Sequence, residues 1–227
     1  MKNQKSLYPV IAIDGHAASG KGTLARSLSD RLGFAYMDTG SLYRLAALTL
    51  HQNGKSPDDV PAAIAAAAQL RRDFKPSDSL NPAIRNDLIG QITSKISAIP
   101  DVRAELLGLQ RDFATKPPTL VDGTPAKGAI LDGRDIGTVV CPDAPLKLYV
   151  TARVEIRADR RFKELSSQGL NPDYDLVLAE MKERDARDSG RATAPLKPAE
   201  DAVILDTSDL TAAQVLDQAL AMASARF

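Results

Sequence analysis

Gly15-His16-Ala17-Ala18-Ser19-Gly20-Lys21-Gly22-Thr23 is the stretch that decides the fold. It fits G-x-x-x-x-G-K between a short apolar run, residues 7–14, and a helical pattern over residues 21–32. Glycines let the backbone curl so that successive N–H groups face phosphate oxygens. The helix that follows adds its free amides and the positive end of its dipole. Lys21 supplies a mobile positive charge for the outer phosphates of a nucleotide. The strand, loop and helix together separate this motif from a chance glycine-rich turn.

Working outward, residues 34–37, 129–132, 146–151 and 202–206 read as further short strands, and Gly33 as the cap ending the first helix. Helical patterns cover 41–52, 84–98, 100–114, 154–168, 175–187 and 211–225. Another is expected to start at Ser56 as the capping residue, with Pro57, Asp58 and Asp59 in its first turn, and to run to about Arg71. Residues 73–82 are polar and irregular, and Lys116-Pro117-Pro118 breaks the chain. Strands separated by helices predict an α/β fold, a five-stranded parallel sheet flanked by helices on both faces. The stretch from 41 to 128 is too long for one crossover, so it holds an inserted helical subdomain, about 55–115. Residues 153–191, two charged helices around the turn 169–172, read as a short lid with its adjoining helix. The whole chain, 1–227, reads as one domain with these insertions.

Composition narrows the function classes. The 227 residues are 44% apolar and 26% charged, with 29 basic and 29 acidic side chains. Zero net charge leaves no global electrostatic footprint for nucleic acid, so anion sites must come from local clusters. One cysteine, Cys141, excludes a disulfide framework and a cysteine-rich zinc site. It reads as a packing residue. The start MKNQKS has no apolar core of a leader, and no apolar run nears the roughly 20 residues that span a bilayer. A cytoplasmic protein is expected.

Three further clusters carry chemistry. Asp38-Thr39-Gly40-Ser41-Leu42-Tyr43-Arg44 follows the second strand, and ligands gather at strand carboxyl ends in this architecture. Thr39 offers a hydroxyl to a phosphate and Arg44 a fork of donors; a capped surface helix with a solvated arginine gives the same pattern. Ile130-Leu131-Asp132-Gly133-Arg134-Asp135 ends an apolar strand in charge. Asp132 suits direct or indirect contact with Mg²⁺, or simple capping. Arg134 suits an anionic oxygen, and Asp135 an amino group. Arg153, Arg157, Arg160 and Arg161 lie on one helix, and Arg184, Arg187 and Arg191 follow on the next stretch with Asp185 and Asp188 between them. They serve either as surface ion pairs or as a lid closing over polyphosphate.

With these motifs in order, the chain resembles the bacterial cytidylate kinases. The resemblance runs through GxxxSGKGT at 15–23, DTGSLYR at 38–44, IPDVR at 99–103, LDGRDIGTVVCPDAP at 131–145 and RDARDSGRATAPL at 184–196. Gly22 between Lys21 and Thr23 already resembles nucleoside monophosphate kinases rather than GTPases. The resemblance implies a P-loop kinase core with a helical NMP-binding insertion, and transfer of the ATP γ-phosphate to CMP or dCMP with Mg²⁺. It implies that Gly15, His16, Ala17, Ala18, Ser19, Gly20, Lys21, Gly22 and Thr23 hold ATP, joined by the lid arginines Arg157, Arg160 and Arg161. It places Arg44 and Arg134 on the acceptor phosphate beside Asp38 and Thr39. Ser94, Arg103 and Asp135 would read cytosine, Arg184 and Asp188 the ribose, and Arg191 would join the transfer site. Lys21, Arg134, Arg184 and Arg191 are thus the candidate catalytic groups, and Asp132 the candidate metal ligand.

The chemistry agrees with these roles. Cytosine presents an amino donor beside two acceptors, whereas uracil reverses the donor and leaves buried groups unpaired, at roughly 1–3 kcal/mol each. His16 reads as a loop residue without a catalytic role, because the phosphate acceptor is already anionic. The sequence departs from the family in three places: 71–82 is short and polar where a strand hairpin is common, His16 stands where proline is common, and 121–128 is an extra loop. Other readings are a UMP, AMP or shikimate kinase, or a nucleotide-binding switch. No Asn-Lys-x-Asp guanine motif supports a switch. A monomer with small-molecule substrates, no membrane and no nucleic acid, is expected.

Overall fold

The computed structural model describes residues 8–227. Leu7, expected to open the first strand, and the start MKNQKS lie outside the described residues. The elements run β1 (Val10–Gly15), α1 (Lys21–Leu32), β2 (Ala35–Asp38), α2 (Thr39–Gln52), α3 (Val60–Asp73), α4 (Asp87–Ile96) and α5 (Pro100–Thr115). They continue as β3 (Ala129–Gly133), β4 (Leu146–Thr151), α6 (Val154–Ser167), α7 (Tyr174–Ser189), β5 (Val203–Asp206) and α8 (Ala212–Ser224). The chain forms two compact units, one from residues up to Tyr36 together with Ala114–Phe227, the other Met37–Phe113.

The strands form one parallel sheet in the order β2-β3-β1-β4-β5. β1 pairs with β3 through Ile11 opposite Ile130, and with β4 through Ile13 opposite Leu148. Strands covered on both faces read as continuous apolar runs, and every residue of β1 and β3 is buried. β5 is an edge strand and alternates instead: Leu205 is buried while Ile204 is 62% exposed. Ile11, Ile13, Leu148 and Val150 pack with Leu24 and Leu28 of α1 and with Val215 and Ala219 of α8. α6 and α7 close a smaller core of Ala158, Leu165, Val177 and Met181. β1 lies between β3 and β4, so the strand order departs to either side of it; ligands bind at the carboxyl edge of such a point.

In the unit 37–113, α2 packs against α3 and α4. Leu42, Leu50, Ile84, Ile89, Ile96 and Leu106 are fully buried there. The starts of α2, α3 and α4 are set by side-chain caps. The Asp38, Asp59 and Asn86 carboxylate or amide oxygens accept from the amides of Ser41, Ala62 and Ile89. Ser56, expected to cap the third helix, instead accepts from the Asp58 amide in a turn of its own. Asp59 therefore takes over the cap, and the helix begins at Val60. The helix expected from Ile84 begins later because 3₁₀ turns at Pro76–Leu80 and Pro82–Arg85 occupy the preceding stretch. Prolines at the starts of both turns fit there because a first-turn N–H needs no partner. A π-helical turn over Ile136–Val140 was not foreseen; it follows Asp135, whose carbonyl accepts from the amides of Val139 and Val140.

Candidate functional site

The phosphate loop leaves β1 at Gly15, where no other residue fits. A Cβ there would lie 2.0 Å from the carbonyl oxygen of Val150 on the paired strand β4. Gly20, with φ 88°, takes the left-handed conformation that turns the loop into α1. α1 has no side-chain cap and no acidic residue in its first turn, so its amides and dipole face the loop uncompensated. Ser19 is fully buried, and Lys21 reaches back so that Nζ stands 3.4 Å from the His16 carbonyl, which accepts from it. His16 stacks edge-on against Tyr149 at 5.9 Å. Burial first, and then the charges of Arg157 and Arg134, lower its pKa against the opposing pull of Asp185 and Asp188. The imidazole is therefore neutral at neutral pH.

The carboxyl ends of β3, β4 and β5 converge on this loop. Asp132 on β3 is 4% exposed and accepts from the Tyr36 hydroxyl at 2.8 Å. One of its oxygens lies 3.4 Å from where a Gly22 Cβ would sit, which places the carboxylate beside the loop. Beyond β3, Arg134 donates from Nε to Asp188 on α7 at 2.9 Å, and Arg191 donates to the other oxygen of the same carboxylate. One aspartate thus brackets two arginines. Burial pushes the Asp188 carboxyl up, but Arg134, Arg191 and Arg184 outweigh it and hold the group below its usual range. Asp135 is buried at the start of the π-helical turn.

The lid arginines diverge. Arg157 is 4% exposed, forks onto Asp185 at 3.1 and 2.6 Å, and donates to the carbonyls of Ala152 and, in the loop, Ala17. Its donors are committed to the protein. Arg161 pairs with Glu164 at 3.0 Å. Among the described residues Arg160 donates only to uncharged groups, the Thr207 hydroxyl at 3.0 Å and carbonyl at 2.8 Å, and it lies beside Gly20 of the loop.

The unit 37–113 holds the remaining candidates. Asp38 caps α2 and accepts from Arg85 at 3.2 Å, and Thr39 is buried in the first turn of that helix. Arg44 donates to the Ile84 carbonyl at 2.8 Å and lies over Gly90 of α4. Arg103 on α5 lies over the Tyr43 ring at 5.5 Å and donates to the Ser97 carbonyl. Ser97 in turn donates to the Ser94 carbonyl, so Ser94 and Arg103 are one residue apart in the hydrogen-bond chain. The Ser94 hydroxyl oxygen is buried without a hydrogen-bond partner.

Three residues that hold this apparatus were not singled out from sequence. Asp14, 4% exposed at the end of β1, accepts from the amides of Ile136 and Gly137 at 2.7 and 2.8 Å and so anchors the turn behind Arg134 and Asp135. Tyr36 holds Asp132. Thr207, the first residue beyond β5, joins the loop to Arg160. A charged residue closing an apolar strand was the available signal for Asp14; the carboxyl-end rule was the signal for Thr207.

The chain is similar to proteins of one named family over most of its length. The sequence model of the cytidylate kinase family matches residues 11–225. A protein of Rhodospirillum rubrum named cytidylate kinase is 56% identical over 93% of this chain and 95% of its own length. Another of that name, from Paramagnetospirillum magneticum, is 54% identical over 93% and 95% of the two chains. Among solved structures, a Thermus thermophilus protein matches with TM-score 0.50 at 18% identity over 97% of this chain and 98% of its own, and an uncharacterised Eubacterium ventriosum protein with TM-score 0.54 at 12% identity over 96% and 99%. At those identities the structural likeness speaks for the fold alone. The family match and the near full-length relatives carry the assignment: the chain belongs to the cytidylate kinase family.

Proposed function

We propose that the protein transfers the γ-phosphoryl group of ATP to CMP or dCMP. The observation that carries this reading is the phosphate loop set beside the Arg134–Asp188–Arg191 cluster within a chain of this family. An acceptor phosphate oxygen attacks the γ-phosphorus in line. The new P–O bond forms as the bond to the β–γ bridging oxygen breaks, and ADP leaves without a covalent enzyme intermediate. The acceptor is already anionic, so a neutral His16 is not needed as a base. The protein's work is positioning and charge neutralisation. Loop amides and Lys21 hold the donor phosphates, Arg134 and Arg191 face the charge that spreads over the transferred group, and Arg160 adds a cation whose protein partners are uncharged. Arg184 and Asp188 serve the ribose, and Arg44, with Asp38 and Thr39, the acceptor phosphate.

Ser94, Arg103 and Asp135 are the groups proposed to read cytosine. The orphaned Ser94 hydroxyl supports a polar partner at that place, since a buried hydroxyl without one is costly. The oxygen donors fit Mg²⁺, which takes one or two carboxylates together with substrate phosphates. Asp132, held in orientation by Tyr36, would be that carboxylate, and among the described residues no cluster of three or more metal-binding side chains exists. The cation would neutralise charge on the donor phosphates.

No helix among the described residues is long and apolar enough to cross a membrane. The reading extends to a cytoplasmic monomer acting on free nucleotides, which sedimentation at working concentration checks. The deciding experiment is an acceptor panel of CMP, dCMP, UMP and AMP with ATP and Mg²⁺, read as ADP formation. CMP and dCMP should be used at least tenfold more efficiently than UMP or AMP, about 1.4 kcal/mol in the transition state. Equal use of UMP, or ADP formation without an acceptor, would refute the cytosine reading.

A further inference from the structure

Thr207 is 2% exposed and carries a hydroxyl with two distinct tasks. It lies 2.9 Å from the Ser19 carbonyl of the phosphate loop and 3.2 Å from the Thr151 carbonyl at the end of β4. The hydroxyl has one proton to donate, and the Ser19 carbonyl is the nearer of the two acceptors, so the proton goes to Ser19. The same oxygen accepts from Arg160 Nη1 at 3.0 Å, and the Thr207 carbonyl accepts from Nη2 at 2.8 Å. Two consequences follow. In a trans peptide the C=O and the next N–H point in opposite directions. Fixing the Ser19 carbonyl toward Thr207 therefore aims the Gly20 amide away from it. The fork onto Arg160 fixes the guanidinium beside Gly20 without neutralising it, because neither acceptor is charged.

We propose that Thr207 is a positioning residue for ATP: its hydroxyl locks the Ser19–Gly20 peptide and Arg160 into one anion-binding arrangement. Arg157 shows the contrast. It is oriented by a carboxylate, Asp185, and gives up its charge to that partner. Thr207 orients Arg160 and leaves the charge for the nucleotide. The inference rests on the proposed use of ATP by this loop.

The test compares Thr207→Val, which keeps the shape and removes the hydroxyl, with Thr207→Ser, which keeps the hydroxyl. Calorimetric ATP binding and the KM for ATP and CMP are measured beside the melting temperature. Losing the two hydroxyl contacts should weaken ATP binding and raise its KM about tenfold. The KM for CMP at saturating ATP should stay within about twofold of the parent value, and Thr207→Ser should restore ATP binding to within about threefold. A merely structural threonine would lower the melting temperature of Thr207→Val and leave ATP affinity unchanged; that result overturns the proposal. If Thr207→Val does not fold, Thr207→Ala removes the same hydroxyl without a branched methyl to place. Failure of both to fold while Thr207→Ser folds would make the hydroxyl a folding determinant and also overturn it. Parent protein that binds no ATP would overturn the underlying reading, an outcome separate from any variant.

Discussion

Replacing Asp188 by asparagine should both destabilise the protein and slow transfer, because one buried carboxylate serves two arginines. Asp188 is 3% exposed, and the side chains of Arg134 and Arg191 are 16% and 10% exposed. An amide of the same shape keeps one acceptor oxygen but turns its NH₂ toward the other guanidinium, a donor facing a donor. Hydrogen bonds to charged groups contribute about 1.5–3 kcal/mol each, and breaking a buried pair costs about 3–5 kcal/mol. Because both arginines keep some contact with water, the lower end applies, about 3 kcal/mol in urea unfolding at pH 7. Release of Arg134 and Arg191 from their fixed orientation should lower kcat by about 10²-fold, equivalent to about 2.7 kcal/mol. The pH dependence has a definite sign. The folded carboxyl is held below its unfolded value of 3.8, so its stabilisation is present above that pH and is lost as pH falls through the folded pKa. The stability gap between parent and Asp188→Asn should therefore narrow in acid. A loss under about 1 kcal/mol at pH 7, with kcat within threefold of the parent, would show that the two arginines are placed by other contacts.

Gly15→Ala should lower stability by about 3 kcal/mol or more, roughly 6–12 °C in Tm, since its Cβ would meet backbone of β4 at 2.0 Å; an unchanged melt would refute the close approach. Asp14 should act with the opposite pH sense to Asp188. Burial raises its pKa to about 6 against the lowering by the Gly137 and Ile136 amides, so the folded state binds the extra proton between pH 3.8 and about 6. Its contribution should thus fall as pH rises through that window, by about 3 kcal/mol at most, and level off above it. Urea unfolding of the parent and Asp14→Asn across pH 4–7 should show the extra slope only in the parent. Asp185→Ala should cost about 3 kcal/mol by stranding the buried Arg157 guanidinium, and the double change Arg157→Met with Asp185→Leu should recover at least half of that in the same unfolding assay.

The phosphate loop was legible in the sequence because its chemistry lies in consecutive backbone groups: glycine spacing, a preceding apolar strand and a following helix are all local. The five strands were legible for the same reason. Buried runs announce themselves, and their predicted ends differ from the observed ones by a residue or a few. The shift of the third helix start from Ser56 to Asp59 has a local cause as well, three capping-capable residues within four positions, of which the turn at Ser56 removed one from competition. The π-helical turn was not legible, because what holds it is Asp14, 122 residues away in the chain.

Arg153, the N-cap of α6, and the three arginines within that helix show where sequence reading stops. Read along the chain, Arg153, Arg157, Arg160 and Arg161 are equivalent cations at helical spacing. In the structure their partners set them apart: Arg153 meets Asp209 at the surface, Arg157 is buried on Asp185, Arg161 pairs along its own helix with Glu164, and Arg160 takes only the hydroxyl and carbonyl of Thr207. Three of the four have their charge answered by a carboxylate, and a guanidinium so answered has less to offer a phosphate. None of those partners except Glu164 is predictable from spacing on α6. Ranking these cations for a nucleotide is therefore a question about the ends of β5 and α7 rather than about α6. It singles out Arg160, which stands beside the loop and among the described residues donates to uncharged groups, as the lid arginine whose replacement should weaken ATP binding most.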